Sequence, residues 1–455
     1  MKYLAIDIGA SSGRHILGYL DGGKLVTEEI YRFPNLPEMR DGHLVWDADS
    51  LFREVLNGLK KAGEEGKKPD CVGIDTWAVD YALLDGAGER LGEVYCYRDG
   101  RTKASVPSVH AVLPFAALYE RTGIQFQPFN TVYQLQADKE SGKLQKARRM
   151  LMLPDYLHYL LTGTALQEYT NATSTGMVNA ATHVWDEEII AALSFPCGLF
   201  GGLTQPGAKA GRFTAAVKAF VGYDAEVVLP ATHDTASAVL AAPLGENSLY
   251  ISSGTWSLLG VEQPAAHTDG RSRRFNYSNE GSVGFGFRFQ KNIMGLWMIQ
   301  QLRHETGDKY SFAEIEKMAR KSPNGYTVNV NDDAFLAPAS MTEAVREKMG
   351  AAASFGETVY CVLRSLALCY AESMRELEEL TGRTYAAVNV IGGGSKNGLL
   401  NELTARESKK RVIAGPAEAT AMGNLIMQAI GTGEISGLAE ARKIVKNSTD
   451  IQEVQ

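Results

Sequence analysis

The chain has 455 residues, 45% hydrophobic and 22% charged, with 46 glycines and a formal net charge of -7. That length predicts two or three domains with sizeable cores, and the composition is that of an ordinary α/β protein rather than a disordered one. The negative balance argues against a nucleic-acid partner, which needs a basic face; five cysteines without a C-x-x-C pair indicate neither a disulfide framework nor a zinc site.

The N-terminus does not resemble a signal peptide, because Asp7 interrupts its only apolar run, and no stretch of about 18 apolar residues occurs, so a cytoplasmic protein without a membrane partner is expected. The opening stretch YLAIDIGASSGRHILGYLDGGKLV, residues 3–26, reads as a β-meander: apolar strands at 3–8 and 15–20, a turn of small residues at Gly9 to Gly13, and a second turn at Asp21-Gly22-Gly23. From the residues alone the first turn is either a solvated hairpin that Asp7 caps, or an anion cradle of backbone N–H groups and hydroxyls beside a carboxylate able to hold a hydrated cation. A phosphate with magnesium would satisfy the second reading. Helices are predicted over residues 50–64, 154–161, 293–304, 355–381 and 419–430, and their alternation with strands implies mixed sheets flanked by helices.

Between these helices, CVGIDTWAVDYALLD, residues 71–85, places Asp75 and Asp80 in apolar, strand-like sequence. ATHDTASAVLAA, residues 231–242, reads as a loop entering a helix, with Asp234 as an N-cap or, if chemistry is done there, a general base. The stretch SLYISSGTWSLLGVE, residues 248–262, repeats the opening design of strand, small-residue turn and strand. Aligned on the turn glycines, Gly13 and Gly254, it meets Asp7 with Ser248, outside the second strand. Asn292 and Gln300, eight apart or about two helical turns, can share one face if the predicted helix extends to Asn292, either as solvated polar residues or as ligands. VNVIGGGSKNGLLNELTARE, residues 388–407, runs from strand through three glycines into a helix start, which is either an anion site or a close-packing turn. Two duplicated halves, dividing near residues 242–245, point to two lobes with a nucleotide between them.

Several nucleotide chemistries are excluded. No G-x-x-x-x-G-K-[ST] is present, the His-Arg-Asp and Asp-Phe-Gly kinase motifs are absent, and the third glycine a Rossmann turn would need after Gly284 and Gly286 is Phe289.

The motifs DIGASSGR, GIDTWAVDYALLD, YRDGRT, GIQFQPFNTVYQL, EYTNATSTGMVN, ATHDTASAV, SSGTWSLLG, KNIMGLWMIQ, IGGGSKN and GPAEATAMGN, taken in order through nearly the whole chain, resemble the FGGY carbohydrate kinases. These belong to the superfamily of sugar kinases, actin and heat-shock chaperone ATPases. The resemblance implies an α/β fold of two ribonuclease-H-like (actin-like ATPase) lobes with a cleft between them: residues 1–243 on the sugar and magnesium/phosphate side, residues 244–455 on the nucleotide side. It implies ATP and magnesium, and transfer of the γ-phosphoryl group to a ketose, L-rhamnulose first, with L-fuculose, D-xylulose or another polyol as the alternative. A monomer or weak homodimer is expected.

Carried over residue by residue, the resemblance gives Asp7 the magnesium and Ala10, Ser11, Ser12, Gly13 and Arg14 the ATP phosphates. Asp234 becomes the general base, with Ala78, Asp80, His233, Thr235 and Asn292 beside the sugar. Thr255 meets the γ-phosphate, and Gln300, Gly393 and Gly394 meet the rest of the nucleotide. Ala78 departs from the resembling pattern, which carries glycine in Thr-Trp-Gly-Val-Asp, and Lys396 stands where glutamine is common. A nucleotide-driven protein of the chaperone or actin kind is the rival class, but it would leave Asp234 without an acceptor alcohol.

Overall fold

The structure is a computed structural model that describes residues 1–336 and 338–454. It resolves into two compact units: unit 1 holds residues 1–241, 262–289 and 420–448, and unit 2 holds residues 242–261, 290–419 and the segment from 449. Along the chain, β1 (Lys2–Ile8), β2 (Ser12–Asp21), β3 (Lys24–Pro34), α1 (Ala48–Glu64), β4 (Cys71–Thr76), α2 (Leu153–Thr162), β5 (Lys209–Arg212), β6 (Glu226–Val228) and α3 (Asp234–Leu240) come first. β7 (Ser248–Ser253), β8 (Trp256–Gln263), β9 (Phe287–Met294), α4 (Trp297–Glu305), α5 (Phe355–Thr381), β10 (Ala387–Ile391), α6 (Gly398–Ser408), β11 (Arg411–Ala414), α7 (Ala419–Gly431) and β12 (Gln452–Val454) follow.

Unit 1 is built on a six-stranded sheet of order β5-β6-β4-β1-β2-β3. The apolar run of β1 makes it a central strand: it pairs antiparallel with β2 and parallel with β4, so Asp7 lies opposite Arg14 on one side and Asp75 on the other. Gly22 and Gly23, with φ of 55° and 76°, form the two-residue turn that joins β2 to β3, a conformation that needs positive φ at both positions. Asp47 caps α1 by accepting from Ser50 N–H, and the face of Leu51, Val55, Leu59 and Ala62 is buried in the core. α7 closes the unit. A Cβ on its Gly423 would fall 1.7 Å from the carbonyl oxygen of Ser237, so only glycine lets it lie against α3.

Unit 2 is built on a seven-stranded sheet, six of whose strands follow one another in the order β9-β8-β7-β10-β11-β12. Here too a hairpin, β7 and β8, pairs parallel through its first strand with a later strand, β10. Each unit therefore carries the duplicated design read from the turns. The turns differ in length, so position within the strand, rather than distance from the glycine, sets the correspondence: Ser248 starts β7 instead of preceding it, and Ser252 occupies the next-to-last place that Asp7 holds in β1.

The helices predicted at 50–64, 154–161, 355–381 and 419–430 correspond to α1, α2, α5 and α7 within two residues at each end. The one predicted over 293–304 does not begin until Trp297. Asn292 therefore lies on β9 while Gln300 lies on α4, and the two do not share a helix face. Gly295 explains the break, because a Cβ there would come within 2.6 Å of Trp256 and Thr255 backbone atoms, and only a glycine bend fits between strand and helix. Asp80 sits in a loop rather than a strand, since β4 ends at Thr76 and the next strand begins at Tyr81. Among the described residues no helix is long and apolar enough to cross a membrane.

Candidate functional site

Unit 1 gathers three carboxylates near the C-terminal end of β1, the edge of a parallel arrangement where ligands of α/β sheets bind. Asp7 is 7% exposed, and its Oδ2 accepts from Arg14 Nε at 3.0 Å and Nη2 at 2.8 Å. Asp75, fully buried beside it on β4, accepts from Asn424 Nδ2 of α7 and leaves Oδ1 without a hydrogen-bond partner among the described residues. Burial first, and the neighbouring Asp7 charge second, hold the Asp75 carboxyl well above the usual carboxylate range, against the opposing Asn424 bond. Asp234 completes the group. Burial raises its carboxyl too; His233 opposes that shift and Asp7 adds to it.

A cation fits this set. Among the described residues only Arg14 pairs with Asp7 and only His233 with Asp234, and Asp75 keeps a buried oxygen without a hydrogen-bond partner. No three of the described His, Cys, Asp or Glu side chains are arranged to ligate one ion directly. That suits magnesium, which keeps several waters and takes one or two carboxylates plus phosphate oxygens.

Next to Asp7, the turn after β1 closes with Gly9 N–H donating to Ser12 C=O at 2.9 Å and Asn35 Nδ2 donating to Gly9 C=O at 2.8 Å. The N–H groups of Ala10 and Ser11 have no protein acceptor among the described residues, and Ser11 is exposed. Such a turn presents free donors to an anion. Ser12, Gly13 and Arg14 already belong to β2, and Gly13 has a packing reason to be glycine, because a Cβ would lie 2.1 Å from the Phe33 ring.

Asp234 is the first residue of α3 and His233 its N-cap, so the capping position falls one residue earlier than the sequence indicates. The Asp234 carboxylate takes Thr235 N–H at 2.5 Å and Thr235 Oγ1 at 3.2 Å, both on Oδ1, while the side chain keeps 30% exposure. The preceding loop is anchored from below. Thr76 N–H donates to Thr232 C=O at 3.0 Å, and the buried carboxylate of Glu168 accepts from Thr232 N–H at 3.1 Å and Oγ1 at 2.7 Å.

The loop holding Ala78 and Asp80 is clamped tightly. Thr131 Oγ1 donates to Val79 C=O at 2.7 Å, and the left-handed residue of the loop is Val79, at φ 71°, rather than Ala78. A β-branched residue in that region is strained, and the surrounding bonds hold it there. Ala78 is half-buried and needs no unusual backbone. Asp80 is fully buried: its Oδ2 accepts from Trp46 Nε1 at 2.7 Å, Trp77 Nε1 at 2.8 Å and Tyr97 N–H at 3.1 Å, and its Oδ1 from Gln134 Nε2 at 3.0 Å. Burial pushes its carboxyl up to about 6 despite those four donors. With Oδ2 taken by protein donors, Oδ1 is the oxygen with capacity for a ligand.

Unit 2 brings a second set together at the adjacent ends of β7 and β10. The Gly254-Thr255 turn docks on the start of α4, with Leu296 N–H donating to Gly254 C=O at 3.0 Å and Trp297 N–H to Thr255 C=O at 3.1 Å. Beside it, Gly392 to Gly394 fold over Ser253: a Cβ on Gly394 would lie 1.9 Å from Ser253 Oγ, whereas one on Gly393 would meet nothing within 4 Å. Gly393 and Lys396 are exposed, and Gln300 on α4 is half-buried. Asn292, on β9, has a buried Oδ1 without a partner among the described residues.

The sequence assigned no role to four residues that the structure sets in or behind this machinery: Asp75, Asn424, Glu280 and Arg288. Asp75 was visible as a carboxylate in an apolar strand, and Asn424 lies in the GPAEATAMGN stretch. Glu280 and Arg288 gave no local signal, because contacts across the fold bring them to His233.

The comparisons with known proteins bear on this assembly. Residues 2–241 match the N-terminal domain of the FGGY family of carbohydrate kinases, and residues 249–432 match its C-terminal domain. The chain belongs to this family. It is 45% identical to a protein named rhamnulokinase from Oceanobacillus iheyensis, covering 98% of this chain and 97% of that one. It is 44% identical to one of the same name from Bacillus subtilis, covering 99% and 95%. Among solved structures, the ligand-bound xylulose kinase of Lactobacillus acidophilus shares the fold over 100% of this chain and 93% of that chain, at a TM-score of 0.83 and 15% identity. The glycerol kinase of Plasmodium falciparum with ADP does so over 100% and 94%, at 0.78 and 14%. The fold is therefore the two-domain α/β fold of sugar kinases. As a carbohydrate kinase of this family the protein is an enzyme that uses ATP with a divalent metal on a small-molecule sugar.

Proposed function

We propose that this enzyme phosphorylates L-rhamnulose at the expense of ATP and magnesium, giving L-rhamnulose 1-phosphate in the cytoplasmic breakdown of L-rhamnose. The observation that carries the chemistry is Asp234: an ionisable carboxylate, partly open, grouped with Asp7 and Asp75 and touched by His233. The substrate rests on the whole-length likeness to proteins named rhamnulokinase.

In this reading residues 1–243 carry the sugar and phosphate groups and residues 244–455 the nucleotide contacts. Asp234 accepts the proton of the attacking sugar hydroxyl and holds that oxygen in line. His233, Thr235, Ala78, Asp80 and Asn292 orient the ketose. Ala10 and Ser11 offer N–H groups to the phosphates, with Ser12, Gly13 and Arg14 behind them. Asp7, with Asp75 beside it, would hold magnesium, which when bound would supply positive charge against the transferring phosphate. Thr255 meets the γ-phosphate, and Gln300, Gly393 and Gly394 receive the nucleotide.

ADP release against a panel of ketoses and polyols tests the reading. L-rhamnulose is expected to give the highest kcat/KM; release indifferent to every sugar overturns the kinase, and a better result with L-fuculose or D-xylulose moves the substrate.

A further inference from the structure

Behind Asp234 lies a buried chain of groups that reaches residues far along the sequence. His233 is 6% exposed, Glu280 6% and Arg288 0%. The Nδ1 atom of His233 is 3.1 Å from Arg288 Nη2 and 3.2 Å from Glu280 Oε2, and its Nε2 atom is 3.4 Å from Asp234 Oδ1. Arg288 in turn donates from Nη2 to Glu280 Oε2 at 3.1 Å and from Nε to Gly281 C=O at 3.1 Å. The Ser278–Gly281 strand that carries Glu280 is itself fixed, with Gly281 N–H donating to Thr173 Oγ1 at 2.8 Å.

The donor and acceptor inventory decides the ring's hydrogens. A guanidinium only donates, and an ionised carboxylate only accepts. If the neutral ring bore its hydrogen on Nδ1, that N–H would still have Glu280 Oε2 at 3.2 Å as an acceptor, but the bare lone pair of Nε2 would face the lone pairs of Asp234 Oδ1 at 3.4 Å, and that contact repels. With the hydrogen on Nε2, Arg288 donates to Nδ1 and Nε2–H donates to Asp234; in the doubly protonated ring Nδ1–H donates to Glu280 and Nε2–H still donates to Asp234. Every arrangement without a clash puts a hydrogen on Nε2.

We infer that Arg288 and Glu280 are positioning residues that fix His233 with its Nε2–H aimed at Oδ1 of Asp234, leaving Oδ2 as the oxygen that takes the sugar proton. The polar contacts of this carboxylate among the described residues all fall on Oδ1: hydrogen bonds from Thr235 N–H and Thr235 Oγ1, and the His233 Nε2 atom at 3.4 Å. The inference rests on the reading of Asp234 as the base. In the transfer, the hydroxyl proton passes to Oδ2 while its oxygen bonds to the γ-phosphorus. The bond from that phosphorus to the bridging oxygen breaks, and ADP leaves with the electron pair. A carboxylate free to rotate would present either oxygen in either lone-pair direction, and misaligned proton acceptors lose rate rather than binding.

Nitrogen-15 NMR of histidine-labelled enzyme reads the ring directly, with His233 assigned by its loss in His233→Gln. A protonated Nε2 supports the inference, and a neutral ring bearing its hydrogen on Nδ1 overturns it. Because this measurement uses the unaltered protein, it stands even where removing a buried charge unfolds a variant. Arg288→Met and Glu280→Gln then test the consequence. Each folded variant is expected to lose roughly ten- to a hundredfold in kcat, by analogy with partners that orient metal-ligating histidines and carboxylates, with KM for ATP and ketose within about twofold. Wild-type kcat in both overturns the positioning role. Asp234→Asn is the separate control: if it stays active the base itself is misassigned, and if it is inactive while the other two are unimpaired only the inference falls.

Discussion

Asp234 makes a structural contact beside the chemical task proposed for it, and one substitution separates the two. Its Oδ1 accepts Thr235 N–H, which an Asn Oδ1 accepts equally well, and loss of the charge relieves repulsion from Asp7. Asp234→Asn is therefore expected to keep folding stability within roughly 1 kcal/mol. An amide cannot take the hydroxyl proton, so turnover at saturating ketose is expected to fall about 10²- to 10⁴-fold. Thermal unfolding and ADP release on the same sample check both halves; a loss under about tenfold returns Asp234 to a purely structural role.

Asp80 offers a second test at this scale, through pH. Its folded carboxyl titrates at about 6, above the ordinary 3.8, so the folded protein holds this proton more readily than the unfolded chain. Stability from this group is therefore fully present below the ordinary value and is lost as pH rises to about 6. At about 1.4 kcal/mol per unit the loss is at most about 3 kcal/mol. Measured by denaturant unfolding, the wild type is expected to lose stability relative to Asp80→Asn across that window. A difference independent of pH would mean that the four donors hold the carboxylate ionised throughout.

At the scale of elements, the two hairpins β1–β2 and β7–β8 with their turns, strands β4 and β10, and four of the five predicted helices were legible because each declares itself locally: period-two or continuous apolar runs, small-residue turns, a helical face in α1 and α5. The fifth, predicted over residues 293–304, failed where local pattern competes with packing. Ile293 and Met294 suit helix or strand equally, and only the bend at Gly295 against Trp256 settles the matter. The grouping of candidate residues was legible where a motif is continuous, as at Asp7 to Arg14 and Asp234, whose roles rest on the proposed function. It was not where partners meet across the fold, as Asp75 does with Asn424 and His233 with Glu280.

The glycine turn after β10 makes the same point testable. Gly394→Ala drives a Cβ to 1.9 Å from Ser253 Oγ and is expected to cost about 1–3 kcal/mol, the usual range for overpacking. Gly393→Ala meets nothing within 4 Å and is expected to leave the thermal midpoint unchanged while raising KM for ATP. An unaltered KM would remove Gly393 from the nucleotide contacts.

At the scale of the whole molecule, unit 1 is discontinuous: residues 262–289 and 420–448 fold with the first 241. α7 supplies Asn424 and Gln428, whose amides donate to Gly73 C=O at 3.1 Å and Leu4 C=O at 3.1 Å in the two central strands, and Asn424 also donates to the buried Asp75. A fragment of residues 1–243 keeps the whole six-stranded sheet yet loses these donors, exposing one face of β1 and β4 and leaving Asp75 without its amide. Each unsatisfied buried group costs about 1–3 kcal/mol, more for a charge, against a total stability of about 5–15 kcal/mol. The fragment is therefore expected not to unfold cooperatively in urea, and to recover a transition only when 420–448 is supplied, fused through a flexible linker. A cooperative transition in the bare fragment with a midpoint near that of the full chain would show that α7 decorates the sheet rather than completes it, and Asn424→Ala would then be expected to cost less than about 1 kcal/mol.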